Sequence, residues 1–400
     1  MDRLVVYQGP WDWSFLWNRA QPLATALAER CEVIYLNQGV EAAGGAAGVL
    51  GRLLPRLPRR LQALGRRWHR NTVTKVSESP SIWSWEGLRC DRGLLTRSDR
   101  PTGHYGGLKE HIRRKAESGL EVWLITSRPQ AARLSTLREW DRLIVDIEDP
   151  WFDLSWGSRV SPELILDALR NADAVFGNGE MIAREYARLS GRAVLSLPNG
   201  VDGWLLDALE VAGPMPGLYG GSPGLLRAVF MGNINDRLDY GILAKVAQAP
   251  GYHFYFIGLD NVPGKSRPEW EAIKRRNNFT WIPPVQHREI PAVLQHADVL
   301  LLPYYRTGHE KMFPAKLFEY AAAAEPIIAT VDFTAGAFTI PTLAVCRDAA
   351  SFLRRMQRLR ETGASVPPGV AAECRALARR NTWAIRASEL LRQASAGASA

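Results

Sequence analysis

Cysteine is scarce in this chain of 400 residues. The four present, Cys31, Cys90, Cys346 and Cys374, lie far apart, and no CxxC pair occurs. That spacing argues against a zinc site and suits a reducing compartment. No stretch of about 18 apolar residues exists that could cross a membrane. The opening MDRLVVYQG lacks a basic region followed by a long apolar run, so no signal peptide is expected and a cytoplasmic location is. GxGxxG is absent as well. Its nearest approach, GLYGGSPG, contains proline and precedes a strand instead of a helix, which excludes a dinucleotide fingerprint.

What is present belongs to a globular protein, with 46% hydrophobic and 23% charged residues. The length suggests two domains of about 150–200 residues each. The net charge of +9 is unevenly spread. Residues 51–70, GRLLPRLPRRLQALGRRWHR, hold seven arginines and no acid, interleaved with leucines. Such a segment reads as a contact for an anionic membrane surface, on the inner face of the cytoplasmic membrane. The rival is a solvated basic loop. No nucleic-acid recognition motif accompanies the charge, so no nucleic-acid partner is expected.

Short apolar runs alternate with helical patterns, which indicates an α/β protein with largely parallel sheets. Strands are predicted at 4–8, 31–37, 121–126, 142–148, 173–178 and 193–198. Helices fit 19–30, 129–140, 162–172 and the EMIAREYARLSG segment. The Gly/Pro-rich stretch in 203–224 breaks the rhythm and is the candidate linker. Strands then resume at 226–233, 252–259, 279–283, 297–304, 326–330 and 343–347. Ligands of such sheets bind beyond the carboxyl ends of the strands.

The segment FPAKLFEYAAAAEPIIAT, residues 313–330, breaks local rules. Pro314 suits a first helical turn, which puts Lys316 where the helix dipole disfavours a cation. Glu319 follows at i,i+3, the less favourable order for a pair. A bound diphosphate would satisfy free N–H groups and Lys316 together, and Glu319 on the same face could accept both hydroxyls of a ribose. The bland alternative is an i,i+3 salt bridge. Upstream, AVFMGNINDRLDYGIL reads as a strand, a Gly232–Asn233 turn and a helix. That turn can hold phosphate through backbone N–H groups, with Arg237 assisting.

In order and content, ADVLLLPYYRTGHEKMFPAKLFEYAAAAEPIIAT resembles the donor-binding region of GT-B glycosyltransferases of the bacterial teichuronic-acid and exopolysaccharide type. RLIVDIEDPWFDLS, NADAVFGNGEMIAREY, LPNGVD and FMGNINDRLDYGILAKVAQAP with YFIGL are similar too. The likeness covers most of residues 1–390. It implies two Rossmann-like domains facing across a cleft, at 1–205 for the acceptor and 206–372 for the donor, with a C-terminal helix over 373–392 packing back on the first. It also implies that Lys316 and Glu319 bind the nucleotide diphosphate and ribose, and that Ile282 and Pro283 lie near a uracil or guanine. Two departures stand out. The family's two glutamates have seven residues between them, whereas Glu310 and Glu319 have eight. Glu310 and His309 are therefore equal candidates for the donor sugar. Glu325 stands where a glycine normally ends the helix.

The first half is expected to hold the acceptor. DIEDPWFDLSW sets carboxylates, Asp153 among them, beside large aromatics, and both suit a sugar. The likeness to inverting enzymes places a general base at Asp149. Trp11, Trp13 and Trp17 follow the first strand and are candidates for sugar or lipid contact. Arg19 again opens a helix against the dipole and is an anion candidate.

The whole reads as a peripheral, metal-independent glycosyltransferase with no cofactor beyond its UDP- or GDP-linked donor. It would act on a hydroxyl of a glycan, lipid-linked saccharide or glycoside. The rivals are a sugar-nucleotide 2-epimerase of the same fold and a non-catalytic, transferase-like subunit.

Overall fold

The computed structural model describes residues 2–10, 13, 17–37, 72–77, 82–86, 106–128, 140–152, 162–211, 213–220, 224–306, 311, 313–334 and 336–396. The basic segment 51–70 and most of the helix expected at 129–140 lie outside them. The chain divides into two compact units. The first comprises Met1–Gly177, Tyr186–Leu195 and Ala387–Ala400; the second comprises Asn178–Glu185 and Ser196–Arg386.

The first unit is built on an eight-stranded sheet: β1 (Arg3–Gln8), β2 (Glu32–Asn37), β3 (Thr72–Ser77), β4 (Ile82–Glu86), β5 (Glu121–Thr126), β6 (Arg142–Ile147), β7 (Ala174–Gly177) and β8 (Leu195–Ser196). Its order is β3-β4-β2-β1-β5-β6-β7-β8. Pairing is parallel from β4 to β7, and β3 adds an antiparallel edge. The helices are α1 (Ala20–Ala28), α2 (Gly106–Glu117), α3 (Pro162–Arg170) and the second half of α4 (Glu180–Ser190), whose residues up to Glu185 belong to the second unit. The strands expected at 4–8, 31–37, 121–126 and 142–148 are found to within a residue. They are apolar runs because both faces of a central parallel strand are buried.

The second unit carries a wholly parallel six-stranded sheet: β9 (Leu226–Met231), β10 (Tyr252–Ile257), β11 (Phe279–Ile282), β12 (Val299–Leu302), β13 (Ile327–Ala329) and β14 (Leu343–Val345). Its order is β11-β10-β9-β12-β13-β14. The helices are α5 (Gly203–Glu210), α6 (Tyr240–Val246), α7 (Arg267–Lys274), α8 (Ile290–Gln295), α9 (Lys316–Ala323), α10 (Ala349–Thr362) and α11 (Pro368–Arg379), with the start of α12 (Trp383–Ala396), whose residues from Ala387 on belong to the first unit. Phe230 stacks on Phe256 at 5.1 Å, and Trp270 meets Phe279 edge-on at 5.4 Å, filling one side of the sheet.

Two expectations need correcting. Residues 203–224 are no free linker: α5 buries Leu205 and Leu206, and Tyr219 is buried with its hydroxyl donating to the Val293 carbonyl at 2.7 Å. Gln295 also accepts from the Gly213 N–H at 3.1 Å. The glycines and prolines shape the path of this stretch, and those side chains bind it to the second unit. The helix expected over 373–392 is two helices. Val201 donates to the Asn381 carbonyl and accepts from the Trp383 N–H, so a bridge with another strand of chain interrupts the helical ladder there.

Candidate functional site

α9 begins at Lys316, so the lysine does open the helix, and no side chain caps that end. Its ammonium donates to the Tyr304 hydroxyl at 2.8 Å and lies 5.3 Å over the ring of Phe230. Tyr304 follows β12 by two residues, where sequence alone does not reveal it as a partner. An ammonium has three donors, and no carboxylate among the described residues lies within ion-pair distance of this one. The i,i+3 salt bridge with Glu319 does not form. Tyr320 anchors the helix against the sheet, its hydroxyl accepting from the Met231 N–H at 3.0 Å. Ala321, Ala322, Ala323 and Ala324 are all buried, which permits that close approach.

Gly232 faces the lysine directly. It sits at φ +147°, and a Cβ there would lie 2.7 Å from the Lys316 Nζ. The torsion is one that favours glycine, and the missing Cβ leaves the ammonium room at this strand end. Gly258, at φ +145°, backs onto Gly232 so closely that its Cβ would fall 1.9 Å from the Gly232 carbonyl oxygen. Thus the carboxyl ends of β9 and β10 are fitted to each other and to the start of α9. Asn233 is exposed and accepts from the Asn261 side chain at 2.9 Å.

The expected strand–turn–helix is longer than read. α6 starts at Tyr240, capped by Asp239, and the loop before it is pinned by bridges from Ile234 to Asp260 and from Leu238 to Tyr304. Arg237 lies in that loop, its N–H held by the Asn235 side chain and its carbonyl accepting from the Tyr305 N–H. Ile282, half-buried, ends β11, and its carbonyl accepts from the Gly258 N–H at 2.9 Å; Pro283 beyond it is exposed. These residues therefore converge on the same strand ends.

Glu319, one turn into α9, is half-buried and makes no hydrogen bond among the described residues. Burial pushes its carboxyl up to about 7, the Asp202 carboxylate adds to the shift, and Lys316 opposes it. Asp202 and its neighbour His287, 3.5 Å away, are not predicted from sequence; each belongs to a separate segment, and only the fold brings the two together.

The first unit gives a mixed result. Asp149 is half-buried two residues beyond β6. Trp151 beside it is fully buried, edge-on to Tyr186 at 6.1 Å, and offers no face to a sugar. Trp13 is half-buried against Tyr35 at 5.1 Å, whereas Trp17 is exposed. Arg19 is corrected outright as an anion candidate. It is buried with Asp146 in a two-bond ion pair, at 2.9 and 2.7 Å, and Asp146 also accepts from the Tyr7 hydroxyl at 3.3 Å. Trp11, Asp153, His309 and Glu310 lie outside the described residues. Among the described residues no group of three or more His, Cys, Asp or Glu could hold a metal ion, and no helix is long and apolar enough to cross a membrane.

Comparison with known proteins places this geometry. Residues 227–362 match the family described as Glycosyl transferases group 1. A curated Bacillus subtilis (strain 168) relative, named "Putative teichuronic acid biosynthesis glycosyltransferase TuaH", is 28% identical over 211 residues, which is 49% of this chain and 52% of the relative. The chain thus spans about half the length of the curated relative it matches. Among solved structures, sucrose-phosphate synthase from Thermosynechococcus elongatus aligns with a TM-score of 0.68 at 15% identity, covering 98% of this chain and 100% of that one. Anabaena Alr3699/HepE, in complex with UDP and glucose, aligns at 0.63 and 12% identity, covering 98% and 99%. At such identities the likeness establishes the fold, which is GT-B.

Proposed function

We propose that this chain is a glycosyltransferase that moves a sugar from a nucleotide-diphosphate donor to a hydroxyl of a glycan, lipid-linked saccharide or glycoside. The observation that carries the reading is the ammonium of Lys316. It opens α9 with no carboxylate partner among the described residues, pressed against a glycine that leaves it room.

A donor diphosphate seated there would meet the ammonium, the N–H groups of the first turn of α9 and the Gly232–Asn233 backbone. Those donors would stabilise the charge that gathers on the diphosphate as the glycosidic bond breaks. The chain itself supplies the positive charge, which is why we take the transfer to be independent of metal. Glu319 would accept the ribose hydroxyls, with the base lying along Ile282 and Pro283. The HepE structures in complex with UDP and with UDP-glucose support a uridine nucleotide. Arg237 is assigned to the same phosphates through its place in the β9–α6 loop.

Asp149, in the first unit, is assigned as the base that takes the proton of the acceptor hydroxyl, or as its anchor. Trp17, which follows β1 and is exposed, edge-on to Trp13 at 6.0 Å, is the aromatic we assign to the acceptor among the described residues.

The test is a thermal-shift panel of UDP-, GDP- and dTDP-sugars followed by an assay for release of the nucleotide. A shift with one nucleotide class and acceptor-dependent release is expected. No shift with any of them, together with no hydrolysis, would sink the proposal; product formed from donor alone would favour an epimerase.

A further inference from the structure

Tyr304, just beyond β12, is held through both backbone and ring. Its chain neighbours pair with the loop ahead of α6: Asp239 donates to the Pro303 carbonyl at 2.9 Å, and Tyr305 to the Arg237 carbonyl at 2.8 Å. The Thr330 hydroxyl donates to the Tyr304 carbonyl. The ring packs edge-on against Phe230 at 6.3 Å and Phe333 at 5.5 Å, and the residue is 9% exposed. The phenolic oxygen is thereby fixed 2.8 Å from the Lys316 ammonium.

The direction of that hydrogen bond is not a choice. An ammonium carries donors and no acceptor, so toward Lys316 the tyrosine oxygen accepts. The O–H proton is left over, and no acceptor among the described residues receives it. A donor this deeply buried is costly to leave unmatched. It lies beside a cation that has given only one of its own hydrogen bonds, again to this oxygen. Unused donors of two side chains thus stand together at the strand end where Gly232 leaves space. An oxygen-rich anion supplies the acceptors that both lack.

We propose that Tyr304 binds the donor in its own right, its hydroxyl accepting from Lys316 while donating to an oxygen of the nucleotide's diphosphate. The inference rests on the reading of the start of α9 as the diphosphate site. A hydrogen bond from a hydroxyl to a phosphate oxygen is charge-assisted, and so stronger than a neutral pair. It strengthens further as negative charge gathers on the departing diphosphate. The hydroxyl acts in the same sense as the ammonium without adding a second cation. Its aromatic supports fix its direction before the nucleotide arrives.

The experiment is titration of the full chain with uridine and with UDP, followed by NMR on the uracil protons, which reads weak and tight binding alike. Tyr304→Phe keeps the ring between Phe230 and Phe333 and removes only the hydroxyl. It should weaken UDP roughly tenfold, as expected for a lost hydrogen bond to a charged group, and change uridine by less than about twofold. In a Lys316→Ala background the same substitution should still weaken UDP by about threefold or more, since the hydroxyl meets the phosphate itself. If it costs nothing in that background, the tyrosine only props the lysine and the inference is overturned. The inference is equally overturned if folded Tyr304→Phe binds UDP as wild type does, or loses uridine and UDP alike. If wild type binds UDP no better than uridine, or Lys316→Ala binds UDP as wild type does, the diphosphate site itself falls, and this inference with it.

Discussion

Arg19 and Lys316 each open a helix with a positive charge at the end where the dipole resists it, and in sequence they look alike. In the structure they have opposite fates. Arg19 precedes α1 and is fully buried, with both arms of its guanidinium on Asp146. Lys316 keeps a neutral tyrosine hydroxyl as its hydrogen-bond acceptor among the described residues. A misplaced cation is therefore a sign that some anion is needed, and only the fold tells whether the chain provides one. In the first unit β6 delivers a carboxylate to the spot. In the second unit the strand end delivers Gly232, which leaves room and no charge.

The comparison is broken most forcefully from the Arg19 side. Asp146→Asn leaves the guanidinium buried without its counter-charge, and removing one partner of such a pair costs about 3–5 kcal/mol. Urea unfolding should show this loss, whereas UDP affinity of the folded fraction should stay within about twofold of wild type. An equal loss of affinity with intact stability would mean that Arg19, too, serves a ligand.

Lys316→Ala should give the mirror image. Loss of a cation at developing charge lowers transfer by roughly 10²–10³-fold, while the half-buried lysine gives up one hydrogen bond, to Tyr304, and no ion pair, which shifts stability by only about 0.5–1.5 kcal/mol. Steady-state transfer and a melting curve on one preparation decide it. Unchanged transfer would remove Lys316 from the donor site.

Much of this was legible beforehand, for physical reasons. Parallel strands buried on both faces are written as apolar runs, so the central strands of both sheets could be read from the chain. The start of α9 was legible because proline, lysine and glutamate at those spacings violate helix electrostatics. What sequence could not show is which side chains meet from distant segments. Asp146 reaching Arg19, Tyr304 reaching Lys316, and His287 reaching Asp202 all depend on how the fold brings distant segments together. The glycines and prolines of 203–224 signalled irregular backbone correctly, but a Gly/Pro-rich path can still be packed, and Tyr219 packs it. The break between α11 and α12 has a similar origin: backbone hydrogen bonds from Val201 compete with the helical ladder.

The far end of α9 offers the smallest test of the same contrast. The left-handed residue expected at Glu325 is instead Ala324, with φ 62°, and its N–H closes on the Ala321 carbonyl. The helix thus ends one residue early, and Glu325 escapes the strained conformation. Its carboxyl lines a cavity of about 410 Å³ with Asp298, Arg227 and Arg375. Burial, with help from Asp298, pushes it up to about 7. An alanine in the left-handed region carries a backbone cost that glycine does not. Ala324→Gly should therefore stabilise the protein by about 0.5–1 kcal/mol, at pH 5 and pH 8 alike, since no titrating group is altered. Glu325→Gly at pH 5, where the carboxyl is protonated in the folded chain, should bring no such gain. If thermal denaturation shows the reverse order, the helix ends at the glutamate after all.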